Sequence, residues 1–438
     1  MSKLKVFEAF AGIGAQNKAL KILKNKMKID FEVVGTSEWD IWANISYNAM
    51  HNNNENRAIN LKDSEINKYL SKFTHSNDGK KPIDKKFLNR LDRNTRELLY
   101  SSYEACNNQG SIVDLKGEDL IKNVGDVDVI TYSFPCQDLS VAGSFHGFNQ
   151  GMKKGSGTRS GLLWEIERIL KELKKINKLP KYLLLENVKN MISEKHKEDY
   201  IEWLIFLKTI GYNTQTYLLN SLEFGIPQKR ERVYAISVLG NDNLFPDTLN
   251  QKNIIIENEK FQNVSKELNL IKSLNEILKT NYTNNIYKDE AINAIPNNTP
   301  SRIRMYCENP ILYTKKNYEY PLTIKKNNKL YVKKNDGYYL QLCRTITTKQ
   351  DRHPNAGIID IRESKLLKEK HKSNYRFLTP RETYLLMGFD EKDFNKVIKN
   401  NIKKAVLYRQ AGNSITVNVL VSIFKKINDI DNEVKNND

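Results

Sequence analysis

The stretch LKVFEAFAGIG at residues 4–14 decides the fold. Leu4–Phe7 is an apolar, β-rich run. Ala11, Gly12, Ile13 and Gly14 form a tight turn of small residues, and glycine there lets the backbone come close to a ligand. Residues 16–28 carry Leu20, Leu23 and Met27 at helical spacing, and Phe31–Gly35 is a second apolar run. Strand, turn, helix and strand make a βαβ unit, which implies a parallel sheet covered by helices. Glu38 ends the second strand, where an acid in such folds binds a ribose hydroxyl. A solvated surface glutamate and a turn without a ligand fit these two features as well, so they do not decide function alone.

Further along, the α/β rhythm is interrupted and resumes. Residues 52–110 are rich in Asn, Lys, Asp and Ser with weak helical patches, and read as a surface insertion. Val127–Tyr132 is a short apolar strand. Leu162, Leu163, Ile166, Ile169, Leu170 and Leu173 lie on one helical face. Tyr182–Leu185 predicts a strand, the 203–207 stretch a helix before Gly211, and Arg232–Val238 another strand. From 241 to 370 the chain is Asn- and Lys-rich with short β-like runs at 330–332, 338–342 and 344–348. This predicts a separate, smaller domain after a first domain at 1–240. Residues 371–438 should pack back on the first domain. Thr379-Pro380-Arg381-Glu382 predicts a capped helix start, and the tail after Ile427 should fray.

The 438 residues include 70 Lys+Arg and 52 Asp+Glu, a net charge of +18. Residues 300–372 hold 17 Lys/Arg against 7 Asp/Glu, a local excess of +10, with seven tyrosines interleaved between Tyr306 and Tyr339. Such a region suits phosphate contacts, though a solvated surface has the same composition. Cys106, Cys136, Cys307 and Cys343 are far apart, and the six histidines are scattered. Neither a disulfide scaffold nor a zinc site is expected. No apolar run is long enough for a bilayer, and the N-terminus has no signal-peptide core. A cytoplasmic protein with a polyanionic partner is the expectation, with no metal and no membrane.

Three strand ends carry reactive groups. Cys136, in SFPCQDLS at 133–140, follows the third apolar strand, where open α/β sheets place ligands. A single cysteine is more often a buried hydrophobe, but this one lies in a polar loop with Asp138 and Ser140. Glu186-Asn187 follows a buried strand, where a carboxylate is costly unless paired or used. Gln228-Lys229-Arg230-Glu231-Arg232 leads into a further strand and puts both arginines on one face. A cysteine, a glutamate and an arginine together suit attack on a ring carbon beside a protonatable nitrogen and a carbonyl oxygen.

In this combination the chain resembles the DNA (cytosine-5) methyltransferases. The matches run in the family's order: FEAFAGIG at 7–14, Glu38-Trp39, Asp114, SFPCQDLS at 133–140, LLLENVKNM at 183–191, GIPQKRERVYAIS at 225–237, RFLTPRE at 376–382 and QAGNSITVNVL at 410–420. The resemblance implies a class I S-adenosylmethionine-dependent, Rossmann-like large domain. It also implies a smaller, mostly irregular or β target-recognition domain at 241–370. By similarity, the cofactor would be held by Phe10, Ala11, Gly12, Ile13, Gly14, Glu38, Trp39, Asp114, Pro135, Leu162, Asn413 and Ser414. Cys136, Glu186 and Arg232 would be catalytic. Gln137, Ser140, Asn187, Gln228, Arg230, Thr345 and Thr347 would serve the substrate, with Arg352 and His353 as base or phosphate contacts to test. The segment 138–160 would close over the site.

Two departures stand out: Gly14 is followed by Ala15 where the family has a second glycine, and the 52–110 insertion is long. The resemblance implies duplex DNA as substrate, a monomer, and either solitary action or a restriction endonuclease acting on the same site without direct contact. A related RNA-methylating branch carries a Cys-Phe-Thr signature after the arginine motif, which this sequence lacks. A non-catalytic DNA-binding regulator on the same fold is the third reading.

Overall fold

In a computed structural model, the described residues are all but 1–2, 136–138, 140–150, 156–158, 241–244, 246–257, 259–260, 313–322, 327–328, 335–336, 368–370 and 438. Strand β1 (Leu4–Ala9) is buried on both faces, as the centre of a covered parallel sheet requires. It leads through helix α1 (Ala15–Met27) to β2 (Phe31–Ser37), the βαβ unit expected from the opening stretch. Strands β3 (Val129–Tyr132), β4 (Tyr182–Val188), β5 (Tyr212–Asn220) and β6 (Glu231–Leu239) complete a six-stranded sheet of order β2-β1-β3-β4-β6-β5. β1 runs parallel to β2 and β3, and β3 parallel to β4, whereas β6 is antiparallel to β4. The chain leaves β1 for β2 on one side and returns to β3 on the other. That switch point lies at the carboxyl ends of β1 and β3, where such sheets bind ligands.

Chain contacts divide the molecule into two compact units. The first holds Met1–Leu219, Glu231–Gln262 and Leu420–Asp438; the second holds Asn220–Arg230 and Asn263–Val419. The breaks expected at 240 and 370 are not where the units divide. Residues 371–419 belong to the second unit, where Arg376 and Glu382, both fully buried, form a two-pronged pair at 2.8 Å. Thr379 caps the Pro380–Leu385 helix in a capping box with Glu382, as its sequence predicts. The second unit has its own sheet, order β12-β11-β7-β10-β9-β8. Its strands are β7 (Ile311–Leu312), β8 (Thr323–Lys326), β9 (Lys329–Lys334), β10 (Gly337–Leu340), β11 (Ile358–Asp360) and β12 (Tyr375–Phe377).

Three local expectations are corrected. Residues 52–110 are a packed layer, not a surface insertion. The Arg93–Cys106 helix buries Leu98, Leu99 and Tyr103, and it lies against α2 (Ile41–His51). Residues 344–348 form no strand: the Arg344 N–H donates to Ala356 O, the Ile346 N–H to the Gln228 side chain, and Thr345 Oγ1 to Lys229 O. The tail stays helical to Asn437, with Ile427 and Ile430 buried and the Tyr182 hydroxyl donating to Asp431.

Candidate active site

At the end of β1 the chain turns sharply. Phe10 and Gly14 have φ of +57° and +78°, and the left-handed value at Phe10 costs about 1 kcal/mol. Gly14 is needed for space as well. A Cβ there would lie 2.5 Å from His51 Nε2 and 2.7 Å from Tyr47 Cε2. The Ala11 N–H donates to Ser37 O at 3.2 Å, tying the turn to β2. His51 Nε2 lies 3.2 Å from Ile13 O. Ala15, where the family has glycine, is buried at the start of α1 without disturbing it.

Glu38 faces this turn directly after β2. Its carboxylate accepts the Gly12 N–H at 2.9 Å and the Asp40 N–H at 2.8 Å. Burial and the neighbouring Asp40 carboxylate push its pKa up to about 7. Asn108 clamps its backbone: Oδ1 accepts the Glu38 N–H at 3.1 Å and Nδ2 donates to Glu38 O at 2.9 Å. Trp39, half-buried, accepts the Ser76 N–H at 2.8 Å. The supposed insertion therefore builds the corner that holds Glu38 and Trp39. Asp114 is exposed, and Arg168 grips its loop through the carbonyls of Ile112 (3.2 Å), Val113 (3.4 Å) and Leu115 (2.8 Å). Glu165 and Glu172 hold Arg168 in turn. Sequence reading missed this brace, although Glu-x-x-Arg-x-x-x-Glu at helical spacing is its signal.

Cys136, Gln137 and Ser140 lie outside the described residues. Side chains on three elements hold the backbone around them. Asn187 Nδ2 donates to Phe134 O (3.1 Å), Ser160 Oγ to Pro135 O (2.8 Å) and Asn190 Nδ2 to Leu139 O (2.6 Å). Most of the expected closing segment also falls outside the described residues. Its 151–155 stretch is anchored, with Met152 fully buried, Trp164 Nε1 donating to Met152 O at 2.7 Å, and Lys154 paired with Glu167. Leu162 ends a short helical turn and packs on the core.

Glu186 and Asn187 are the fifth and sixth residues of β4, not residues beyond its end. Glu186 pairs in register with Tyr234 and Val188 with Arg232, so Glu186 and Arg232 are diagonal neighbours across two antiparallel strands. Arg232 Nε lies 3.4 Å from Glu186 Oε1, and their side chains are 15% and 12% exposed. Both are shielded, yet neither is sealed. Arg230 precedes β6 and belongs to the second unit, so the two arginines do not share one strand face.

The second unit holds the remaining expected residues. Gln228 is fully buried; Nε2 donates to Leu386 O at 2.8 Å and Oε1 accepts the Ile346 N–H at 3.0 Å. Thr345 Oγ1 donates to Lys229 O at 2.8 Å, and Thr347 is half-buried. Asn413 is exposed at the end of the Lys404–Asn413 helix and Ser414 is buried beside it. Arg352 and His353 are exposed. Gln228 and Arg230, expected at the substrate, thus spend their side chains on backbone.

The sheet order and its βαβ switch point are those of a class I methyltransferase fold. The family profile described as C-5 cytosine-specific DNA methylase matches residues 73–429, and the chain belongs to this family. It is 36% identical to the orphan methyltransferase M.SssI of Spiroplasma monobiae, covering 97% of each chain. It is 35% identical to the type II methyltransferase M2.ScrFI of Lactococcus lactis subsp. cremoris, covering 97% of this chain and 99% of the relative. The solved Dnmt2 methyltransferase of S. pombe shares the fold, with a TM-score of 0.54 at 18% identity, covering 96% of this chain and 97% of that one. The protein is a DNA cytosine-5 methyltransferase; the family and fold use S-adenosylmethionine generally. The expected class, fold and reaction are borne out.

Proposed function

We propose that Cys136, Glu186 and Arg232 methylate cytosine through a covalent adduct. Cytosine C5 is a poor nucleophile. Addition of the Cys136 thiolate to C6 makes C5 enamine-like, while Glu186 holds the N3/N4 edge and stabilises or supplies the proton at N3. Arg232 donates to O2. Bound S-adenosylmethionine supplies the electrophilic methyl group for C5. Loss of the C5 proton and expulsion of Cys136 then restore the aromatic base. A stacked base offers neither face of C6, so the target is flipped out at a cost of a few kcal/mol. The observation that carries this reading is the 3.4 Å Glu186–Arg232 pair on strands beside the Pro135 loop.

Glu38 fits a ribose diol. Two backbone N–H groups fix its carboxylate, leaving further lone pairs for hydroxyl donors. Phe10 would stack on the adenine with Gly12 and Gly14 beneath, Trp39 would pack nearby, and Asp114 would accept from the adenine amino group. Pro135, Leu162, Asn413 and Ser414 complete the set carried over by resemblance. Thr345 and Thr347 contact the DNA backbone, and the basic 300–372 stretch supplies salt-dependent affinity. The protein works as a cytoplasmic monomer, alone or beside a nuclease of the same site. No helix among the described residues is long and apolar enough to cross a membrane.

Tritiated S-adenosylmethionine offered with duplex DNA or tRNA tests the substrate; label on tRNA alone sinks the reading. Duplexes carrying 5-fluorocytosine test the nucleophile, because fluorine cannot leave as a proton. A covalent complex accumulates with the native protein and is absent with Cys136→Ala; trapping that persists removes Cys136 from its role.

A further inference from the structure

Arg230 joins two segments of the second unit that are far apart in sequence. The residue is 3% exposed. Nη1 donates to Ile346 O at 3.0 Å, and Nη2 donates to Gly412 O at 3.1 Å and Ser414 O at 2.7 Å. Ile346 lies between Thr345 and Thr347; Gly412 and Ser414 flank Asn413. The two backbones also touch. A Cβ on Gly412 would lie 2.4 Å from Thr348 N and 2.5 Å from Thr347 C, so only glycine fits. Gln228 ties Ile346 from the other side. The threonine segment cannot move without disturbing the Gly412–Ser414 segment.

We infer that Arg230 is a positioning residue that couples DNA engagement at Thr345 and Thr347 to cofactor engagement at Asn413 and Ser414. This rests on the roles proposed above for those four residues. The guanidinium is a rigid planar fork, so displacing one acceptor misaligns the others. A ligand that settles one segment therefore settles the other, and such coupling is reciprocal. A lysine ammonium at the same position lacks the fork that spans these three carbonyls.

The test measures S-adenosylhomocysteine affinity by calorimetry on the full chain, with and without unmethylated plasmid fragments. In the native protein the DNA should tighten binding about fivefold or more. In Arg230→Lys and in Gly412→Ala the ratio should fall to near one. A native ratio of one, or folded variants that keep the native ratio, overturns the inference. Hydrogen exchange on the native protein needs no variant: S-adenosylhomocysteine alone should slow exchange at residues 345–348, and unchanged exchange there overturns it too. Thr347→Ala should weaken DNA binding and Asn413→Ala should weaken cofactor binding. If these two controls fail, the underlying role assignment is wrong. If they hold while coupling survives in Arg230→Lys, only the staple is wrong.

Discussion

Arg230 and Arg232 stand two residues apart and do different work. Arg232, the second residue of β6, lies at 15% side-chain exposure beside Glu186. Arg230 is buried against three carbonyls of the second unit. One motif thus holds two arginines with different partners, the Glu186 carboxylate for Arg232 and backbone carbonyls for Arg230. What separates them is the acceptor each N–H meets. Removing the first kind should show in rate at constant stability. Removing the second kind should show in stability or binding, because buried carbonyls lose their donors. Arg168 is the organising kind in the first unit, but at 33% side-chain exposure water can replace part of what it gives.

The sharpest separation comes from Glu186→Gln. It should lower kcat by about 10²–10⁴ with little change in Tm. A large fall in Tm would place Glu186 with the organising groups. Gly14→Ala tests the other extreme. It combines a left-handed φ with a 2.5 Å clash against His51, and should cost about 1–3 kcal/mol of stability, seen as a lower denaturation midpoint. A midpoint equal to the native one would mean the turn yields easily.

Glu38, proposed above to bind the cofactor ribose, can be followed by pH. Its pKa is raised to about 7, and hydroxyl donors favour the ionised form. Cofactor affinity should therefore rise with pH up to about 7 and level off above, falling by up to about tenfold per unit on the acid side. Titration calorimetry of Glu38→Gln should show a flat profile; a slope that survives assigns it to another group. The smallest effect is expected from Arg168→Met. It should raise the cofactor KM a few-fold, about 1 kcal/mol, with kcat unchanged. A fall in kcat instead would break the parallel with Arg230.

Most strands and the helix start at Thr379 were legible because each is written in a local pattern: a short apolar run, or a cap with its glutamate. Cys136, Glu186 and Arg232 were singled out because each lies next to an apolar run, although Glu186 sits inside β4 and Arg232 at the start of β6. Residues 52–110 were misread because Ile66, Leu70, Leu98, Leu99 and Tyr103 are sparse among Asn and Lys, so composition hid the buried face. Asn108 and Ser160 were invisible for another reason. An amide or hydroxyl that bonds a distant carbonyl leaves no periodicity. The threonine segment read as a strand because β-branched residues favour strands, yet its partners are the Gln228 side chain, Lys229 O and Ala356 O.

The second unit is assembled from Asn220–Arg230 and Asn263–Val419, not from one continuous stretch. This limits how recognition can be exchanged between relatives. A graft of residues 241–370 would leave Arg230 facing a foreign carbonyl in place of Ile346 O, Gln228 a foreign N–H in place of that of Ile346, and Gly412 a foreign backbone. A transplant that works must carry the eleven residues Asn220–Arg230 and the Gly412 turn with it, as one discontinuous cassette.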